Sequence, residues 1–227
     1  ETMRYFGQLD EDEFAANISS TYKFGEMNKI LFGFNMKNES RDYSSTRFYY
    51  KLNKLNPEIS NIYDTDDYMN FENIQNGTIV IQRSRQPRDG YKAGNDIYAG
   101  YVSADYYPVS ALLINVGVRY ESSRQWVDYY GDDGIAKRRN LDKDDFFPAT
   151  NFKYQLNDEN SLRLSFSRTI TRPSFIEMAP FLYQESYGSA QIRGNEDLQN
   201  GYNYNLDLRY ELFKQNQDMI SVTGYYK

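Results

Sequence analysis

The chain has 227 residues, a formal net charge of −6, and neither cysteine nor histidine. These absences exclude a disulfide framework, a thiolate metal site, a cysteine nucleophile, a Ser-His-Asp triad and imidazole acid/base chemistry. With 23 Tyr and 14 Phe the chain is too aromatic for disorder, and its acidity argues against a nucleic-acid partner.

The opening Glu1-Thr2-Met3-Arg4 shows no basic segment followed by an apolar core, so a leader is expected to have been removed or to lie further upstream. From Phe14 to Phe24, one face holds Phe14, Ala16, Ile18, Tyr22 and Phe24, and the other holds Asn17, Ser19, Thr21 and Lys23. That period of two predicts a strand with one apolar face. Ile30, Phe32, Phe34 and Met36 form the next such face, continued by Phe48, Tyr50 and Leu52. Asp96 to Tyr107 also alternates, without declaring which face is apolar. Leu112, Ile114, Val116, Val118 and Tyr120 alternate with Leu113, Asn115, Gly117, Arg119 and Glu121, and Leu162, Leu164 and Phe166 with Arg163, Ser165 and Ser167. The clearest run has Tyr202, Tyr204, Leu206, Leu208, Tyr210 and Leu212 on one face and Asn203, Asn205, Asp207, Arg209 and Glu211 on the other. Ala111 to Val118, the most apolar stretch, is far too short to cross a bilayer as a helix, but the strands of a membrane barrel need only about ten alternating residues each.

Short and long connections alternate strictly. Gly25 to Asn28, Pro108 to Ser110, Asn157 to Asn160 and Lys214 to Gln217 read as tight turns, giving hairpins over Glu13–Leu52, Asn95–Val127, Ala149–Arg168 and Tyr202–Lys227. Asn53–Gly94, Tyr129–Phe147 and Thr169–Gly201 read as long polar loops. Compact sandwiches keep most connections short, whereas outer-membrane barrels have short turns at one end and long loops at the other. The expectation is an all-β antiparallel meander forming part of a transmembrane β-barrel, with Tyr22, Phe24, Tyr106 and Tyr107 near the tight-turn interface. The alternative is a secreted or surface β-sandwich that binds carbohydrate, in which Leu162, Leu164, Phe166, Leu206 and Leu208 would meet a partner sheet instead of lipid.

Leu162-Arg163-Leu164-Ser165-Phe166-Ser167-Arg168-Thr169-Ile170-Thr171-Arg172-Pro173-Ser174-Phe175 resembles the segment of TonB-dependent outer-membrane receptors in which a barrel strand runs into a Thr-Arg-Pro-Ser-Phe loop. Gly194-Asn195 with Leu198, followed by Tyr204 to Glu211, is similar to the family's Gly-Asn-Pro-x-Leu loop and next strand, with Glu196 in place of the proline. Tyr98-Ala99-Gly100-Tyr101 and Gly117-Val118-Arg119-Tyr120-Glu121 resemble two further strands of that family. The resemblance implies a plugged barrel of about 22 strands that imports a scarce nutrient, such as a siderophore or glycan, when TonB pulls on the plug. Residues 1–227 would then be a barrel fragment of about four hairpins, lacking the plug. Its partners would be TonB through that plug, a small-molecule or glycan ligand, and outer-membrane lipid.

Arg168 and Arg172 have two readings: bidentate capture of an anionic ligand group, or anchorage of the long loop to carboxylates of the barrel wall, which is the plainer one. Tyr129, Tyr130, Phe175, Phe181 and Tyr183 are placed either to stack on a ligand or to pack the loops together. Arg168, Arg172, Tyr129, Tyr130 and Tyr183 are therefore the ligand-binding candidates. Arg83, Arg85, Arg88, Lys92, Lys137, Arg138 and Arg139 read as charges balancing nearby aspartates, with steering of an anionic ligand as the sharper alternative. Asp64, Asp66 and Asp67, Asp132 and Asp133, and Asp142, Asp144 and Asp145 lack calcium-loop spacing and read as solvated charge. Asp10 to Glu13, just ahead of a strand, receive no catalytic role. No enzymatic activity, metal or cofactor is expected.

Overall fold

The computed structural model describes residues 2–53, 69–180, 182–183, 190, 192–214 and 218–227. Long strands dominate: β1 (Thr2–Phe24), β2 (Asn28–Leu52), β3 (Ile79–Ser84), β4 (Gly90–Val109), β5 (Leu112–Tyr130), β6 (Ala136–Gln155) and β7 (Asn160–Thr171), then β8 (Leu182–Tyr183), β9 (Ile192–Arg193), β10 (Gly201–Phe213) and β11 (Met219–Tyr226). Two short helices, α1 (Phe71–Gln75) and α2 (Phe175–Met178), sit in the connections. Among the described residues no helix is long and apolar enough to cross a membrane. One antiparallel sheet runs β1-β2-β4-β5-β6-β7-β10-β11, with β3 beside the far half of β2. Every neighbour along that path follows in chain order apart from the short strands, so the topology is a meander.

Register lines up the apolar side chains in rows across the sheet. Tyr22, Ile30, Ala104, Val116, Thr150, Phe166, Leu206 and Tyr226 form one such row. Ile114, Phe152, Leu164 and Leu208 form the next. This is the outer face. It settles β4, whose outer residues are Tyr98, Gly100, Val102, Ala104 and Tyr106. The outer row is not covered by another layer: Leu162, Leu164, Phe166, Leu206 and Leu208 are between 37% and 51% exposed. A sandwich would have buried them against a second sheet. That alternative therefore fails.

On β5 the band runs from Leu112 to Tyr120, a height of roughly 20 Å at ordinary strand rise and barrel tilt. Tyr106, Tyr154 and Tyr210 mark its tight-turn edge, and Tyr98, Tyr120 and Phe146 its other edge. Rings with one apolar and one polar side favour such boundaries.

The sequence expectation for the connections needs three corrections. Tyr129–Phe147 is not a loop: β5 and β6 stay paired up to Tyr130 and Ala136, leaving a turn of five residues. The segment looked loop-like because the outer face of β6 above the band is polar and Lys137, Arg139 and Lys143 flank Leu141 on its inner face, so the alternation fades although the ladder continues. Asp10–Glu13 lie inside β1 rather than ahead of it, paired with Asp42 to Glu39. In the Asn53–Gly94 connection, β3 extends the pairing of β2 and a 3-10 turn at Pro87–Asp89 leads into β4, which begins at Gly90. Asp64, Asp66 and Asp67 lie outside the described residues.

Candidate functional site

Above the band the inner face turns apolar. Tyr91, Ala93, Val127, Tyr129 and Leu141 form a patch on which Phe175, Met178 and Ala179 of the connection after β7 are seated. Burying side chains such as Phe and Met contributes about 1.5–3 kcal/mol each, so this patch holds the connection against the wall. A capping box starts α2: the Ser174 N–H and hydroxyl both donate to the Glu177 carboxylate, at 2.7 and 2.8 Å. Those bonds, first the one from the backbone, hold the Glu177 carboxyl below its ordinary value, against a smaller upward push from burial. The Arg41 guanidinium covers the Phe175 ring at 5.0 Å while its Nε donates to Glu11.

Both motif arginines find carboxylates of the wall. Arg172 reaches Glu121 of β5, a buried carboxylate that also accepts from Arg119 at 2.8 Å. The next carbonyl, that of Pro173, accepts from Gln125 Nε2 at 2.8 Å. Arg168 occupies a fork. β6 and β7 are paired only up to Ala149 and Ser167, and beyond that point they separate. Arg168 fills the opening, donating to the Phe146 carbonyl at 2.6 Å and pairing with Asp145 at 3.3 Å, with Tyr202 beneath its guanidinium at 4.3 Å. The Tyr202 hydroxyl donates to the second Asp145 oxygen. A planar, five-donor guanidinium suits this position, where an unpaired carbonyl, a carboxylate and a ring must be satisfied together.

The second motif folds onto the first. The Asn195 N–H donates to the Glu177 carbonyl at 2.7 Å, and the Asn195 side chain accepts from the Asp197 N–H. Gly194 lies against the end of α2, where a Cβ would overlap the Ala179 carbonyl oxygen and stand 2.6 Å from that of Ile176. Only glycine permits that approach. Glu196, which replaces the family's proline, accepts from the Tyr129 hydroxyl at 2.7 Å through its side chain, while its carbonyl and that of Leu198 accept from Arg139. Burial, and secondarily the Glu196 carboxylate, push the Tyr129 hydroxyl up to about 12.

Beside this packed connection the rim holds a cleft of about 800 Å³. Tyr43, Tyr91, Tyr129 and Tyr130 line it together with Arg85, Lys92, Lys137 and Arg138, opposite Asp42, Asp89 and Asp128. Several of these cations are paired: Lys92 with Asp42, Lys137 with Asp133, and Arg138 bidentately with Asp128. Tyr43 and Tyr91 stand 5.3 Å apart, ring to ring.

Of the five ligand-binding candidates, Tyr129 and Tyr130 line the cleft. Arg168 and Arg172 do not: each is engaged with the wall. The side chain of Tyr183 lies outside the described residues. Sequence reasoning missed Glu121 and Asp145 as arginine partners, and Tyr43 and Tyr91 as cleft walls. A usable signal was the phase of the alternation, which turns Glu121 to the inner face beside Arg119.

The profile of the outer membrane protein beta-barrel family matches residues 59–227. Three solved structures superpose over nearly the whole chain. They are the siderophore receptor PiuA from Acinetobacter baumannii (TM-score 0.61, 9% identity, 96% of this chain and 32% of that one), the ferric yersiniabactin uptake receptor FyuA from Yersinia pestis (0.60, 8%, 99% and 29%), and the copper transporter OprC (0.59, 14%, 96% and 30%). No curated protein matches the sequence. The chain spans about a third of the length of these structures, and at such identities the likeness speaks for the fold. That fold is the one expected from the resemblance to TonB-dependent receptors, and its apolar band meets lipid. With the profile covering most of its length, the chain belongs to the outer membrane protein beta-barrel family and is a transmembrane β-barrel portion of the outer membrane.

Proposed function

We propose that the chain is one section of the barrel of a TonB-dependent receptor, which takes up a scarce small-molecule nutrient such as a siderophore, glycan or metal complex and carries out no catalysis. The observation that supports this most is the rim cleft. Four tyrosines and four cations line a concave space at the long-connection end of the wall. Rings and fixed cations together suit a ligand carrying both an apolar or aromatic surface and oxygen anions. The packed connection on Arg168 and Arg172 supports the cleft by fixing Tyr129 through Glu196. In this reading the arginines position the loop, and ligand contact belongs to Tyr129, Tyr130 and their neighbours in the cleft. TonB acts through a plug supplied by another part of the receptor.

The test is growth of a deletion strain on a panel of ferric chelates, haem, cobalamin, copper and glycans, each as sole source. One nutrient should fail to support growth, and restoring the wild-type gene, but not a Tyr129→Ala, Tyr130→Ala double variant, should rescue uptake. Full growth on every source, with the wild-type protein shown to be present in the outer membrane beforehand, would sink the proposal.

A further inference from the structure

The upper part of β6 has a neighbouring strand on one side only. Pairing with β7 stops at Ala149 and Ser167, while pairing with β5 continues up to Ala136. The lower end of β6 fixes which main-chain groups face which neighbour. The Leu156 N–H donates to the Asn160 carbonyl at the start of β7, and the Gln155 N–H to the Ala111 carbonyl on the β5 side. An antiparallel strand alternates these directions, and the β5–β6 register runs without a shift, so even-numbered residues of β6 turn their N–H and carbonyl toward β7. Pro148 is the next even-numbered residue above Thr150, and it has no N–H to offer. The ladder ends there for that reason, and the Arg168 side chain takes the place of the missing pair.

Above Pro148 the even-numbered residues are Phe146, Asp144, Asp142 and Asn140. The Phe146 carbonyl accepts from Arg168 at 2.6 Å, and the Asn140 carbonyl accepts from Arg139. The N–H and carbonyl groups of Asp142 and Asp144 have no hydrogen-bond partner among the described residues. Both residues are exposed, and they stand above the apolar band, in water. From Asn140 to Phe146 this free edge is about 20 Å long at ordinary strand rise. A row of unpaired backbone donors and acceptors at a sheet edge is a template for another strand.

We propose that the Asn140–Phe146 edge of β6 binds a single extended peptide segment by strand addition. What it recognises is peptide main chain, through the N–H and carbonyl groups of Asp142 and Asp144. Charge does not select the occupant: Arg124 and Lys143 balance Asp142 and Asp144, and Asp144 already accepts the Tyr120 hydroxyl at 3.2 Å. The same aspartates do exclude a second copy of this chain. Antiparallel pairing of two such edges would set Asp142 and Asp144 of one against those of the other, and like charges directly opposite are destabilising. A lone peptide meets no such penalty. The inference rests on strand pairing and not on the transport reading.

The test is fluorescence anisotropy of a labelled heptapeptide with blocked ends, Lys-Thr-Val-Thr-Val-Thr-Lys, titrated with the intact receptor in detergent, alongside amide exchange over Asn140–Phe146. Without peptide, the even-numbered amides of that stretch should exchange fast and the odd-numbered ones, held by β5, slowly. Peptide should slow the fast set alone. Asp142→Pro with Asp144→Pro removes the N–H groups of the free edge without touching the β5 ladder, and should weaken binding about tenfold. Asp142→Asn with Asp144→Asn keeps those N–H groups and should bind within about twofold of wild type. Should the proline variant fail to fold, the same peptide N-methylated at every residue carries the test, since wild type should not bind it. No binding by wild type, equal binding by the folded proline variant or of the N-methylated peptide, loss of binding in the asparagine variant, or slow exchange of the even-numbered amides before peptide is added would each overturn the proposal.

Discussion

The two halves of the β5–β6 hairpin share one ladder and one register yet are built for opposite surroundings. From Leu112 to Tyr120 the outer residues are apolar, and the inner ones include Asn115, Gly117 and Arg119. From Glu121 to Tyr130 the outer residues are Ser122, Arg124, Trp126, Asp128 and Tyr130, and the inner ones include Val127 and Tyr129. The inversion falls at Glu121. Below it the hairpin is a wall between lipid and a polar interior. Above it the same hairpin stands in water and uses its inner face as a dry seat for α2. Polarity along a strand therefore reports which medium each stretch meets, while pairing alone reports neither.

The comparison breaks most violently if the lower half is made to look like the upper. Val116→Lys puts a charge midway along the lipid-facing band, where such substitutions cost about 2–4 kcal/mol. Trp126→Lys, ten residues on and on the same face, should cost under 1 kcal/mol, since Trp126 lies outside the band, over Gly94 and against Arg138 at 4.6 Å. Denaturant unfolding of the receptor in lipid vesicles compares the two, and equal losses would show that the band ends elsewhere.

The next effect is sharper in location. Removing the carboxylate in Glu121→Ala leaves Arg119 and Arg172 without their shared acceptor at the point of inversion. Breaking a buried pair in this way costs about 3 kcal/mol, reduced here because both arginines remain partly exposed. The loss should fall on the loop rather than the wall: trypsin on whole cells should cleave after Arg193 severalfold faster, while the barrel's heat-modifiable band on gels stays unchanged. Loss of the folded band would move Glu121 from loop anchor to wall.

Gly194→Ala comes third. The added methyl overlaps the end of α2, and overpacking of this kind costs about 1–3 kcal/mol. Faster amide exchange confined to Phe175–Ala179, with β5 and β6 unaffected, is the expected outcome.

The lower half was legible because a strand between two media writes its surroundings into every second residue. Leu162, Leu164 and Phe166, like Leu206 and Leu208, could be placed on one lipid-facing face from their alternation alone, and the ladder pairs them in phase. The upper half was not. Asp128, Lys137, Arg138 and Asn140 read as loop because the outer face of a strand standing in water is polar and the inner apolar patch keeps only Leu141 on β6, while the pairing that holds these residues lies in the backbone. The arginines were legible as a pair needing carboxylates, but which carboxylates depended on where β6 and β7 part, a property of two strands together. The cleft was hardest: Tyr43, Tyr91 and Tyr129 are far apart in the chain and meet only through register.

The smallest expected effect concerns pH. The Glu177 carboxyl is held below its ordinary value by the Ser174 N–H and hydroxyl, so folding of the connection binds fewer protons than its release. A lowered acid contributes its full stability above the ordinary glutamate range and loses it as pH falls through the folded value. Protection of the Phe175–Ala179 amides, corrected for intrinsic exchange, should therefore be level near neutrality and decline on acidification below the ordinary glutamate range. Glu177→Gln keeps an acceptor for Ser174 but has no proton to gain, so its protection should be weaker at neutral pH and flat across the same interval. The lower half of the hairpin, whose outer face has no titrating groups between Leu112 and Val118, should show no such decline in either protein. A decline shared by both halves would place the acid-sensitive element in the wall and not in the loop seated on it.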